Sequence, residues 1–331
     1  MHHVKINSLA KNIVQHIIDN KEILGADVQT LENGSTVLAM KNASWEGGRL
    51  VGEICMGGLG KVEFSNFSLG NHYLPSVNVY TSFPIVSCMA SQLAGWSVKI
   101  KKEVEKDGKM KKKTVFQSLG SGPARAKRRG EKLFEEIEYQ DDSDCAVIVF
   151  ETAKLPDEEV MDLVANKCKV DPTEAYAVCA PTACLTGSIQ VAARIVETGI
   201  HKLHEIHFPL EVIQDGFGTV PVAPVAKDDF AAMGPPNDAM FAYGKTFYTI
   251  KADKEKEAEL FELLKKAPAS TSSSYGQPFN VIFKEAEYDF YKIDPGLFAP
   301  AIYTVNNLKT GHTITVGKLD ERLLKESFGI Q

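Results

Sequence analysis

Arg194 and Glu197 stand three residues apart in a segment, Ser188 to Leu203, that has the spacing of a helix. At about 100° per residue, Ile189, Ala192, Val196, Ile200 and Leu203 share one face, which must be the core side. Gln190, Arg194, Glu197 and His201 form a stripe along its flank, and side chains three apart can meet. A carboxylate fixed by a guanidinium is held in one orientation as an anion. It can take a proton from water as that water attacks an electrophilic carbon. The arginine then positions the base and binds polar groups of the substrate. The same spacing also serves a surface ion pair worth about 0–1 kcal/mol. Arginine preceding glutamate is the weaker order for such a pair, which counts against it, and the stripe borders the apolar face, which admits a partly buried position; from spacing alone the surface pair still leads.

Other residues bear on chemistry. His201, His204 and His207 form H-x-x-H-x-x-H, which superficially suggests a metal site. On a continued helix His201 and His207 are about 600° apart, so the three cannot converge, and no metal is expected. Gly120-Ser121-Gly122-Pro123 opens a helix whose first turns carry Arg125, Lys127, Arg128 and Arg129. Free backbone N–H groups and arginines there suit a phosphate or carboxylate, or simply a capped basic helix. Gly57-Gly58-Leu59-Gly60 lets a ligand approach the backbone, or is an ordinary turn. Lys227-Asp228-Asp229 lines a cleft or caps a helix.

These residues need elements to position them. Ile6 to Leu24 reads as an amphipathic helix, and Val28–Leu31 with Thr36–Ala39 as a hairpin around Asn33-Gly34. Leu50–Met56 and Lys61–Phe67 flank the glycine turn, and Ile85–Leu93 is a short helix or buried apolar segment. Lysine-rich Ser97–Gln117 predicts a solvated hairpin around Asp107-Gly108, and Pro123 starts a helix to about Glu138. Ala146–Phe150 and Ala175–Ala180 are buried strands, with a helix after Pro156 between them and another from Thr186 to about His204. Residues 215–238 read as irregular, Phe241–Ile250 as a hairpin, and Lys254–Lys266 as an exposed helix. Ile302–Val305 and Thr313–Val316 make a last hairpin before a terminal helix at 319–328. Hairpins mixed with helices imply α+β, and no G-x-G-x-x-G follows a first strand. The division expected is an N-terminal α+β domain over 1–140 and a C-terminal α+β domain over 141–331, with more than one crossing allowed.

Composition narrows the function classes. The chain has 331 residues, 44% hydrophobic and 24% charged, enough for about two domains. No run of about 18 apolar residues is present and the N-terminus carries no signal pattern, so the expected compartment is the cytoplasm, with no membrane partner. The net charge of −6 argues against nucleic acid and mildly favours a cationic substrate. Six cysteines without a C-x-x-C pair read as buried small hydrophobes.

Six segments, in order along nearly the whole chain, resemble methenyltetrahydromethanopterin cyclohydrolase. They are residues 53–60 (EICMGGLG), 120–126 (GSGPARA), 154–158 (KLPDE), 180–183 (APTA), 193–198 (ARIVET) and 224–229 (PVAKDD). The resemblance implies hydrolysis of a methenyl carbon bridging two nitrogens of a reduced methanopterin, reversibly, to the 5-formyl pterin. It implies no metal or organic cofactor, two α+β domains with the pterin pocket between them, and a homotrimer in archaeal one-carbon metabolism such as methanogenesis. The family's arginine and glutamate match Arg194 and Glu197; Gly57, Gly58, Ser121, Gly122, Arg125, Thr182, Gln190 and Lys227 are the expected substrate contacts. The lysine-rich segment 99–113 departs from the family pattern by its length. The competing classes are a metal-dependent amidohydrolase using the histidines, and a pterin-binding protein without catalysis.

Overall fold

Five adjacent apolar residues, 146–150, make the strand Ala146–Glu151 buried at every position but its last, and a strand of that kind needs cover on both faces. The computed structural model, which describes residues 4–106, 109–287, 289 and 292–330, supplies it. The strand lies inside a six-stranded mixed sheet, in the order Asp27–Thr30, Thr36–Ala39, Ala175–Ala180, Ala146–Glu151, Lys109–Ser121, Trp96–Lys106. Thr36–Ala39 and Ala146–Glu151 each run parallel to Ala175–Ala180; the other pairs are antiparallel. One face packs Val98, Phe116, Ile148 and Phe150 against Val160, Met161 and Val164 of the helix Glu158–Cys168. Asp157 caps that helix by accepting from Val160 N at 3.2 Å. Helices Ile6–Asp19 and Trp45–Cys55 pack against the same central strand.

The chain forms two compact α+β units from interleaved segments: Met1–Gly58 with Ala90–Pro181, and Leu59–Met89 with Thr182–Gln331. A single cut near residue 140 therefore does not describe it. The reason is strand pairing, since the hairpin Gly60–Leu69 and His72–Thr81 joins the distant strand Ile213–Pro221. The second unit's sheet runs Thr313–Gly317, Ile302–Asn307, Lys245–Ile250, Ile213–Pro221, His72–Thr81, Gly60–Leu69. Only Lys245–Ile250 and Ile302–Asn307 pair in parallel. Val77, Val79, Val220, Tyr248, Ile250, Tyr303 and Val305 of this sheet are buried.

Several expected elements differ. Leu50–Cys55 is helical, within Trp45–Cys55, which Ser44 caps through Gly47 N. The helix expected over 123–138 is two short pieces, Ala124–Arg128 and Leu133–Glu136, broken where Arg129 turns to φ +50°. Residues 213–221 are a strand rather than irregular, and Phe241 lies in the last turn of a helix, Gly234–Tyr243, rather than opening a hairpin. Pro235 and Pro236 sit in that helix's first turn, where proline is tolerated. The lysine-rich hairpin forms as expected, with its Asp107-Gly108 turn outside the described residues. All six cysteines are free and buried, and no described helix is long and apolar enough to cross a membrane.

Candidate active site

The segment 185–205 folds as two helices, Leu185–Ala192 and Ile195–Glu205, instead of one. The break falls on Arg194, whose backbone sits at φ −81°, ψ 2°, in the sparsely used bridge between helix and strand. Arg194 is thereby the N-cap of the second helix, its carbonyl accepting from Thr198 N at 2.7 Å. Glu197 occupies the third helical position, where a capping-box glutamate normally reaches back to the cap. Here it meets the cap residue's guanidinium, with Arg194 Nε 3.2 Å from Glu197 Oε2. Glu197 is 3% exposed, so the pair is not a solvated surface bridge. A helix N-terminus also favours negative charge through its unpaired N–H groups.

The sequence explains how the helix comes to lie there. A Cβ on Gly216 would fall 2.6 Å from Val196 Cγ1, and one on Gly218 would fall 2.8 Å from Ile195 Cγ2. Two alternate glycines on one strand thus let the first turn of Ile195–Glu205 press onto the sheet. Tyr248, fully buried beneath it, donates its hydroxyl to Val196 O at 2.9 Å. Cys88 lies close enough to feel both charges of the pair. Burial, then the Glu197 charge, push its thiol up, while Ser87 and Arg194 oppose. Cys88 sits on Ile85–Gln92, a run of π-helical turns, a rare form frequent at functional sites. The chain passes from the second unit to the first within it.

Of the remaining expected contacts, Thr182, Gln190 and Lys227 belong to the second unit. Gln190 is buried at 3%, Thr182 half-buried and Lys227 exposed. Ala183 N donates to Asp229 Oδ1 at 2.8 Å, which ties the Thr182 loop to the Lys227 loop. Gly57, Gly58, Ser121, Gly122 and Arg125 belong to the first unit. Most of them gather on Ser91, which sequence reasoning missed. Ser91 O accepts from Gly122 N at 2.9 Å and from Arg125 Nη1 at 3.2 Å. Its hydroxyl donates to Cys55 O at 2.6 Å, and Cys55 Sγ lies 3.7 Å from Ser121 Oγ. Gly57 and Gly122 hold φ of +65° and +92° there, a region glycine takes freely. Arg125 is wholly buried, 3.2 Å from Glu131, so it braces this loop from within. Of the histidines, His201 and His204 lie on Ile195–Glu205, and His207 follows its end at φ +62°.

A mixed α+β chain in which a cap arginine holds a buried glutamate carries a fixed carboxylate, a group of the kind that general acid–base catalysis uses. The family described as Cyclohydrolase (MCH) matches residues 5–328. The methenyltetrahydromethanopterin cyclohydrolase of Methanosarcina barkeri is 40% identical over 332 residues, 99% of each chain. That of Methanocaldococcus jannaschii is 41% identical over 333 residues, 98% of each. That of the bacterium Methylobacillus flagellatus is 39% identical, covering 98% of this chain and 95% of its own. The chain belongs to the methenyltetrahydromethanopterin cyclohydrolase family.

Proposed function

We propose that this chain catalyses the reversible hydrolysis of 5,10-methenyltetrahydromethanopterin to the 5-formyl pterin, with Glu197 as the base and Arg194 orienting it. The observation that carries this reading is the buried 3.2 Å contact between Arg194 Nε and Glu197 Oε2 at a helix N-terminus. The bridging carbon is already electrophilic, because its two nitrogens share a positive charge. The enzyme therefore needs a placed base more than a Lewis acid. Water adds to that carbon and gives one proton to Glu197. The bond to one nitrogen then opens as this proton passes to the departing nitrogen. The adduct's hydroxyl proton is released, so a formyl group forms and one proton leaves overall. Glu197's negative charge also favours the cationic ring.

In this reading the reaction uses no metal or organic cofactor, the chain works in the cytoplasm, and it assembles as a homotrimer. Loss of the methenyl chromophore, followed spectrophotometrically, tests the reaction. Glu197→Gln should lower kcat about 10²–10⁴-fold with substrate binding largely kept, the usual scale for removing a general base. An unaffected variant removes Glu197 from its role. Stoichiometric zinc with activity lost on chelation would establish the amidohydrolase class instead, and binding without turnover a non-catalytic protein.

A further inference from the structure

The chain's charge is unevenly placed. Residues 99–113 hold eight lysines against Glu103, Glu105 and Asp107, a local charge of +5 on a chain of −6. The other residues together therefore carry −11. These lysines sit on a two-stranded ribbon of the first unit that runs past the sheet it belongs to. Its strands pair with each other from Trp96 opposite Gly120 to Lys106 opposite Lys109. The strand Ala146–Glu151 joins the ribbon only at Gly120 and Ser121. The core reaches along the ribbon as far as Ile100 and Phe116, and residues 101–103 and 110–114 are all exposed. The base is braced. Lys102 Nζ lies 2.8 Å from Glu159 and 3.7 Å from Asp157 at the start of the helix Glu158–Cys168, and the Lys154 ammonium donates to Val115 O.

A charged residue or two on an edge strand discourages pairing with other chains, but that does not require eight of one sign. Directly paired residues share a face. Lys102 with Lys113, Val104 with Lys111 and Lys106 with Lys109 therefore form a face with five lysines and no acid, while Glu103 and Glu105 fall on the other. Two of those pairs set like charges opposite each other, an arrangement that is unfavourable unless an anion lies against it. Residues 109–114, Lys-Met-Lys-Lys-Lys-Thr, contain no acid at all. Among the described residues no strand covers their outer edge. Such an edge presents main-chain N–H and C=O groups in a row.

We propose that the edge of residues 109–114 is a docking site for an acidic, extended segment of another protein, which adds to the ribbon as a further strand. Charge complementarity selects the acidity. Carboxylates at every second residue of such a segment fall beside Lys109, Lys111 and Lys113, which recur at about 6.8 Å. A neutral or basic strand gains nothing there, so the lysines reject wrong strands while admitting this one. The open main chain selects a polypeptide. A phosphodiester accepts from N–H groups but has no donor for the carbonyls, whereas a strand supplies both. Residues 99–114 also contain no arginine for bidentate phosphate contacts and no aromatic ring for base stacking. Six residues beyond the core, at about 3.4 Å each, reach about 20 Å, more than twice the screening length of about 8 Å at physiological salt. An acidic partner thus meets the lysines near the ribbon's end while the acidic remainder is screened from it.

Fluorescence anisotropy of the intact protein with a labelled peptide of alternating Glu and Thr, about twelve residues long, tests the proposal. The parent should bind it, and binding should weaken at least about tenfold as NaCl rises from about 50 mM to about 500 mM. Lys111→Glu combined with Lys113→Glu should weaken binding at least about tenfold, and Lys111→Gln with Lys113→Gln by less. Both side chains are exposed, so the melts of these variants should match the parent's. Amide hydrogen exchange at residues 109–114 should slow when the peptide is present. A parent that does not bind, or variants that bind as the parent does, overturns the docking site. Unchanged exchange at residues 109–114 overturns strand addition. Equal or tighter binding of phosphatidylglycerol vesicles or of single-stranded poly(U) RNA, lost in the same variants, overturns the polypeptide partner. A raised KM for the pterin substrate in the variants would give the lysines to the substrate and overturn the proposal. Should a variant fail to fold, the salt dependence and the exchange of the parent carry the decision.

Discussion

The hydroxyl of Tyr248 donates to the carbonyl of Val196 at 2.9 Å, one residue before Glu197. Burial pushes the Tyr248 hydroxyl well above its usual range, so it remains a donor. Tyr303 reaches the next turn, its hydroxyl 3.4 Å from Gly199 O. Gly199 provides the room, because a Cβ there would lie 2.0 Å from the Tyr248 oxygen. Two tyrosines rising from the sheet thus fix the turn on which Glu197 is mounted.

Tyr248→Phe should therefore act on turnover rather than on affinity. It deletes one buried hydrogen bond, worth about 1 kcal/mol, while the ring still fills its site. A small displacement of the base is costly, up to about 100-fold for 1 Å. We expect kcat to fall about five- to fifty-fold with KM within about threefold. Gly199→Ala should be worse, since the methyl must displace the ring. Steady-state kinetics beside thermal melts decides the matter; a variant that loses stability but keeps kcat would show that Tyr248 only supports the fold.

Arg194 is tested by a change that keeps its charge. Lysine presents a point charge in place of a planar fork and cannot reproduce the hold of Nε on a carboxylate. Arg194→Lys should lower kcat about 10- to 100-fold, and Arg194→Gln more, if orientation is what the guanidinium provides. Parent-like kcat in the lysine variant would reduce Arg194 to a nearby positive charge.

How much of this was visible beforehand depends on whether the signal is local. Ala146–Phe150 and Ala175–Ala180 read correctly because a doubly covered strand is apolar at every position. The Arg194–Glu197 pair was legible from its spacing and from the family resemblance. The break at Arg194 was not, because the apolar stripe continues across it and no Gly or Pro marks it. It is imposed by packing, in which Gly216 and Gly218 admit the second helix at its own angle. Those alternating glycines were the available signal, and they read as loop because Pro221 and Pro224 follow closely. Ser91 and Cys88 had no local signature at all. The irregular appearance of Gly234-Pro235-Pro236 concealed a helix for the opposite reason, since prolines suit a first turn as well as a loop.

Asp238 sets one pH dependence. It is 1% exposed and accepts from Phe279 N at 2.9 Å and from Ser327 Oγ at 2.6 Å, which ties the C-terminal helix Glu321–Phe328 to Gly234–Tyr243. Burial raises its carboxyl to about 7, against the pull of those two hydrogen bonds. In the unfolded chain an aspartate titrates near about 3.9. The folded state therefore holds the proton more tightly, and its stability is full below about 4 and falls as pH rises to about 7. Asp238→Asn keeps an acceptor for Phe279 N and has no charge to bury. Between pH 5 and pH 8 its Tm should decline less than the parent's by several degrees. Parallel declines would mean that Asp238 does not carry this slope.

Glu257 works in the opposite direction. It lies on the helix Lys254–Leu264 and gathers the last hairpin, accepting from Asn307 Nδ2 at 2.8 Å and from Thr310 Oγ1, with His312 Nδ1 at 2.6 Å. The Thr310 hydroxyl first, then His312, hold its carboxyl down to about 2. A depressed carboxylate contributes stability that is present above its unfolded value of about 4.3 and is lost as pH falls through its folded value. Glu257→Gln should be less stable than the parent at pH 6, and the gap should close between about pH 4 and pH 2. Urea unfolding at pH 6 and pH 3 measures both differences. A gap of constant size would place the contribution of Glu257 in packing, and a wider gap at pH 3 would contradict the direction of its titration.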